Sequence, residues 1–272
     1  MRKLVRSLFG PKQTSSRASS RMSGRQEALP RQIRIPIVPP LAYVIGDIHG
    51  CLDLYRSLED KIIEDAAGAS ALLILVGDLI DRGPDSAGVI CHAMGPAPSG
   101  MERITLMGNH EQMMLSFLKS PRAQIRWLEY GGQTTLTSYG IGEAQMGNFS
   151  LPEAELSERI QAQIPAEQIS WIKALPGAVR LGDRYFISHS GINAQKPLNA
   201  QSAGDLMWTR GFTGPPPPGV TVIHGHTPIE TVDLSGRYID IDTGVYASGR
   251  LSAVRLTPDE APVLLEVCQE PT

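Results

Sequence analysis

The chain has 272 residues, is 42% hydrophobic and 19% charged, and carries a net charge of −3 at pH 7. That is enough chain for a full layered core, and no apolar run reaches the roughly 18 residues of a membrane-spanning helix. Three cysteines argue against a disulfide framework and for a reducing, cytoplasmic setting.

Residues 1–40 hold nine Lys/Arg against one acid, Glu27, a net of +8 that leaves −11 on the rest. The segment is Ser- and Arg-rich and ends in Ile35-Pro36-Ile37-Val38-Pro39-Pro40. It reads as a disordered basic tail and Pro-rich linker, followed by one domain over 41–272. Three roles stay open for it: a plain solvated tail, a weak tether to an anionic membrane or nucleic acid, or an organellar transit peptide. The acidic body argues against stable nucleic-acid binding.

The runs 41–45, 71–76 and 103–107 are short, mostly apolar and each closed by Gly. They predict strands covered on both faces. Helical periodicity fills the gaps over about 52–63, 86–94 and 109–119. Strand, helix, strand, helix, strand predicts parallel pairing with right-handed crossovers, with ligands gathered at the strands' carboxyl ends. Those ends carry Gly46-Asp47-Ile48-His49-Gly50, Gly77-Asp78-Leu79-Ile80-Asp81-Arg82-Gly83 and Gly108-Asn109-His110-Glu111. Acids, imidazoles and an amide so arranged suit two adjacent divalent ions, a centre that hydrolyses phosphate esters.

Beyond residue 119 the sequence predicts an inserted region with helices at about 151–163 and 166–174, the latter started by Pro165. Trp127, Leu128, Tyr130 and Leu136 read as packing within it. A strand at 185–188 runs into His189-Ser190-Gly191, and one at 220–223 into His224-Gly225-His226-Thr227-Pro228. Residues 237–242 and 251–256 alternate as antiparallel strands would, and 263–267 forms a last one. Pro215 to Pro218 read as a stiff exposed loop. Cys51, Cys91 and Cys268 read as buried or incidental thiols, because no nucleophilic Cys-x5-Arg pattern is present.

In this order, GDIHG, GDLIDRG, GNHE, HSG and GHTP resemble the phosphoprotein phosphatase family of metallophosphoesterases, over roughly residues 41 to 256. The resemblance implies an α/β fold: a calcineurin-like β-sandwich of mixed sheets flanked by helices, with a helical cap at about 120–176. It implies Asp47 and His49 as ligands of one metal, Asp78 as the bridge, and Asn109, His189 and His226 as ligands of the other. His224 is then a strand-end residue or outer partner. The resemblance makes His110 the general acid, Asp81 its orienting carboxylate, and Arg82 and Arg210 the phosphate clamps. Manganese is the favoured metal, with iron or zinc as alternatives. A hydroxide bridging two ions about 3.5–4 Å apart would attack phosphorus directly, without a phosphoenzyme.

The 127–132 and 135–140 runs and Ile239-Asp240-Ile241-Asp242-Thr243-Gly244-Val245 resemble the bacterial-type branch, some of whose members favour phosphotyrosine. Tyr246 or Asp242 either helps to define the pocket or belongs to a final strand and turn. The leading reading is a protein phosphatase acting on phosphoserine, phosphothreonine or phosphotyrosine in phosphoproteins or phosphopeptides. The alternative is a symmetrical diadenosine tetraphosphate hydrolase, whose second motif tends to carry Ala at the place of Asp81. A catalytically silent relative is disfavoured, because every matched ligand is present.

Overall fold

The computed structural model describes residues 29–142 and 151–269. Most of the basic tail, with its three open roles, lies outside these residues. One part of that reading is corrected. Gln32–Ile35 is not linker but a strand, β1, paired in parallel with Ala178–Leu181 at the edge of a sheet.

Two five-stranded sheets form the body. One contains β2 (Ala42–Ile45), β3 (Ala71–Leu75) and β4 (Met101–Thr105), mutually parallel as expected, extended by β9 (Arg250–Leu256), antiparallel to β2, and β10 (Val263–Cys268), antiparallel to β9. Its order is β10-β9-β2-β3-β4. The other contains β1, β5 (Ala178–Leu181), β6 (Tyr185–Ser188), β7 (Thr221–His224) and β8 (Tyr238–Asp240), in that order. The expectation for 237–242 is corrected here, since β8 runs parallel to β7.

The sandwich follows from the period of two in strands covered on both faces. In β2, Ala42 and Val44 point into the layer between the sheets, with Ile74, Ile187, Ile223, Ile239 and Val254. Tyr43 and Ile45 point the other way, onto the helices. Those helices are α1 (Leu52–Ala66), α2 (Ser86–Met94) and α3 (Asn109–Lys119). Tyr55, Leu58 and Ile62 of α1, Val89 of α2 and Phe117 of α3 supply the packing. Each fully buried aliphatic side chain contributes roughly 1.5–3 kcal/mol relative to exposure.

The inserted region carries a 3-10 helix at Ile125–Tyr130, then α4 (Gly132–Ser138), α5 (Glu153–Gln161) and α6 (Ala166–Ala174). Pro152 and Pro165 occupy the N-caps of α5 and α6. Further on, α7 (Ala203–Met207) covers the outer face of the second sheet through Leu206 and Met207, and α8 (Val245–Ser248) precedes β9. Cys51 caps α1 rather than lying within it, Cys91 and Cys268 are exposed, and all three thiols are free. No helix among the described residues is long and apolar enough to cross a membrane.

Candidate metal centre and active site

The carboxyl ends of β2, β3, β6 and β7 and the start of α3 converge on one point. Backbone shape delivers the side chains there. Among the described residues, six that are not glycine have positive φ, and five of them are motif residues: His49, Asp78, Asp81, Arg82 and His226. Such conformations are costly and persist only where surrounding structure over-determines them. Ile48 and His49 both donate backbone N–H groups to the Asp78 carbonyl, at 3.1 and 2.9 Å, and Gly83 N–H reaches the His49 carbonyl at 2.9 Å. The first two motifs are thus laced together. Gly108 permits the third to join, because a Cβ there would lie 2.2 Å from Asp78 Oδ1.

Asp78 is central and buried. His49, Asp78 and His110 form one group of potential ligand atoms within 4.8 Å of one another, and Asp78, His189 and His226 form another. Asn109 Oδ1 lies 2.8 Å from both His189 Nε2 and His226 Nδ1. His49 Nδ1 lies 2.8 Å from the Ile80 carbonyl, and His189 Nδ1 lies 3.2 Å from that of Val76. Those carbonyls accept the Nδ1 protons and leave both Nε2 lone pairs for a metal. Asp47 Oδ2 accepts the His226 backbone N–H at 3.1 Å, while Asp47 Oδ1 and His226 Nε2 are buried without a hydrogen-bond partner.

Electrostatics agree with a cation site. Burial, aided by neighbouring positive groups, pushes His49 and His226 down to about 3, so both imidazoles are neutral, as ligation requires. Burial also lowers His189. For Asp78, burial acts upward, but the protonated His110 imidazole and the His110 backbone N–H, which donates to Oδ1 at 3.0 Å, outweigh it and keep the carboxylate ionised. Asp47 is pushed well up, by burial first and then by Asp242 and Asp78. The donor set, with His226 offering Nδ1, and the orphaned oxygen of Asp47 fit two divalent ions centred on Asp78.

His110 sits at the second position of α3. Its Nδ1 is 2.6 Å from Asp81 Oδ2, and its Nε2 is 3.1 Å from an Arg82 guanidinium nitrogen. Arg82 also reaches His49 Nε2, at 3.0 Å. Burial lowers the His110 pKa, but Asp78 and the Asp81 bond outweigh it and raise it above 6.5. Asp81 is fully buried and takes two more bonds, from Trp127 Nε1 at 2.7 Å and Thr135 Oγ1 at 2.5 Å. The inserted region therefore holds the carboxylate that holds the imidazole. Trp127 had read only as packing, and Thr135 lay in a run noted only for its resemblance.

Other sites were also missed. Glu111, fully buried, accepts the backbone N–H groups of Asp78, Leu79 and Gly108 at 2.8–3.0 Å and pins the second motif to α3. Glu three positions after an N-cap is a sequence signal for such a role. Tyr246 lies under Arg82, whose guanidinium carbon is 4.5 Å from the ring centroid, and its ring meets His49 edge-on at 5.3 Å. Arg210 is exposed, and its charge depresses His226. His224 closes β7, with Nδ1 3.0 Å from the Gly225 carbonyl and 3.7 Å from Asp240. Neither group of potential ligand atoms includes it, and neither includes Asp47 or Asp242.

The calcineurin-like phosphoesterase family model matches residues 42–258, nearly all of the body. The chain is a calcineurin-like phosphoesterase. Among its relatives, this phosphoesterase is 41% identical to serine/threonine-protein phosphatase 1 of Salmonella typhimurium, over 79% of this chain and 91% of that protein. It is 27% identical to an asymmetrical bis(5'-nucleosyl)-tetraphosphatase of a Geobacillus species, over 78% and 89%. Its fold matches the solved structure of a provisionally assigned diadenosine tetraphosphatase with a TM-score of 0.59 and 20% identity, over 87% and 98%. The sandwich of two mixed sheets flanked by helices, expected from the motifs, is the fold of this family.

Proposed function

We propose that this phosphoesterase is a protein phosphatase that removes phosphate from serine, threonine or tyrosine side chains. The buried His110–Asp81 pair carries the reading. A serine or threonine alkoxide is a strong base and must be protonated as it leaves, whereas a nucleotide phosphate departs as a stable anion. An imidazole kept protonated near neutral pH by a carboxylate supplies that proton. The Salmonella relative, 41% identical, supports the same reading.

Asp47, His49 and Asp78 would hold one ion, and Asp78, Asn109, His189 and His226 the other, with manganese favoured. When bound, such ions lower the pKa of a shared water and neutralise phosphoryl charge. Arg82 clamps two phosphate oxygens through its planar fork, and Arg210 supplies the second clamp. The Tyr246 ring lies under the Arg82 guanidinium and helps to hold it. His110 donates from Nε2, and Asp81 fixes the ring by taking Nδ1–H.

The second reading is hydrolysis of a dinucleoside tetraphosphate, supported by the Geobacillus relative. Turnover on matched phosphoserine, phosphothreonine and phosphotyrosine peptides, run beside diadenosine tetraphosphate with manganese, separates the two. The expected outcome is a kcat/KM at least tenfold higher on one of the peptides. A preference for the dinucleotide would move the function to nucleotide hydrolysis.

A further inference from the structure

We infer that Asp242 is a further carboxylate of the metal centre, acting through Oδ2 on the ion held beside Asp47. Asp242 is 1% exposed, in the turn that joins β8 to α8. Its Oδ1 accepts the Gly244 backbone N–H at 2.9 Å. Its Oδ2 is buried with no hydrogen-bond partner. The turn explains one oxygen and leaves the other without a task.

The fold brings that carboxylate to the edge where Asp47 also sits. A Cβ at Gly46 would lie 2.3 Å from the Ile241 carbonyl oxygen, so the ends of the two sheets touch where Gly46 meets Ile241. Asp47 follows one of these residues and Asp242 the other. Two buried carboxylates therefore leave a single contact point, each with an unpartnered oxygen. Among the described residues, no lysine or arginine bonds to either. Adjacent buried acids without a cation are costly, and a divalent ion with oxygen ligands is the compensation their chemistry suits.

The inference rests on the two-ion reading of the site. Manganese titration of the full chain by calorimetry and electron paramagnetic resonance tests it without reference to turnover. Asp242→Asn keeps the oxygen that bonds Gly244 and replaces only the free one with an amide. The expected result is a circular dichroism spectrum like that of the unaltered chain, with one of two manganese affinities weakened about 10–100-fold. Asp242→Ser, whose hydroxyl can take the turn bond, is measured in parallel in case the first variant folds poorly. Wild-type affinity for both ions in either folded variant would overturn the assignment. Asp78→Asn separates the two failures. Retention of both ions there would remove the centre itself, whereas loss there with no change at Asp242 removes only the role given to Asp242.

Discussion

Trp127 Nε1 and His110 Nδ1 approach the same oxygen of Asp81, at 2.7 and 2.6 Å. Removing the indole N–H leaves that oxygen freer to turn and the imidazole less well held. Trp127→Phe is therefore expected to lower kcat on a phosphoserine peptide about tenfold, the worth of one hydrogen bond to a charged group, with KM little changed. His110→Asn marks the limit, a loss on the order of 10²–10⁴ on alkyl phosphates and much less on aryl phosphates. Equal losses on both substrate types would remove His110 as the acid. The pair itself was legible through the resemblance of the motifs that hold Asp81 and His110, each of which follows a Gly-closed strand. Trp127 was not. Its role depends on how the inserted region folds back over the second motif, and its neighbours read equally well as core. Tyr246 escaped a firm reading for the same reason, since it meets Arg82 and His49 only once both sheets are in place.

At the level of elements, strands with both faces covered left a plain apolar signature, and helices with one apolar face left a helical period. β1 left neither. Gln32–Ile35 is a half-buried edge strand in a basic, Pro-flanked stretch, and its parallel partner lies far along the chain. β8 alternates, as an antiparallel strand would, yet pairs in parallel, because alternation reports covered faces and not direction. The start of α7 supports a pH prediction. Asp205 and Ser202 form a reciprocal capping box, and Lys196 bonds to the same carboxylate at 2.5 Å. Burial raises the Asp205 pKa, but bonds from Lys196 and Ser202 outweigh it and hold the group down to about 2, against an ordinary 3.8. Its contribution to stability is thus present above about pH 4 and fades as pH falls through about 2. Melting curves of Asp205→Asn should lie below those of the unaltered chain at pH 6 and meet them near pH 2. A constant gap across that range would show that the contribution is not ionic.

For the whole molecule, the described acids of the centre are buried together and lack lysine or arginine partners, so ions and fold are thermodynamically linked. An ion that binds only the folded chain, at a hundred times its Kd, adds about 2.7 kcal/mol. Two such ions should raise the melting temperature by roughly 10–20 °C over chelator-treated protein. Calorimetric scans with and without chelator measure this, and coincident scans would argue against a resident metal. The distribution of the ligands along the chain also sets an order of events. Asp47, His49 and Asp78 follow neighbouring strands of one sheet, whereas His189 and His226 follow strands of the other. Non-local closures of that kind are the slow ones in folding. During synthesis, Asp47, His49 and Asp78 emerge from the ribosome first, and the remaining ligands, Asp242 among them, wait for most of the chain. Manganese uptake during refolding should therefore be biphasic, its later phase keeping time with the meeting of the two sheets at Gly46 and Ile241.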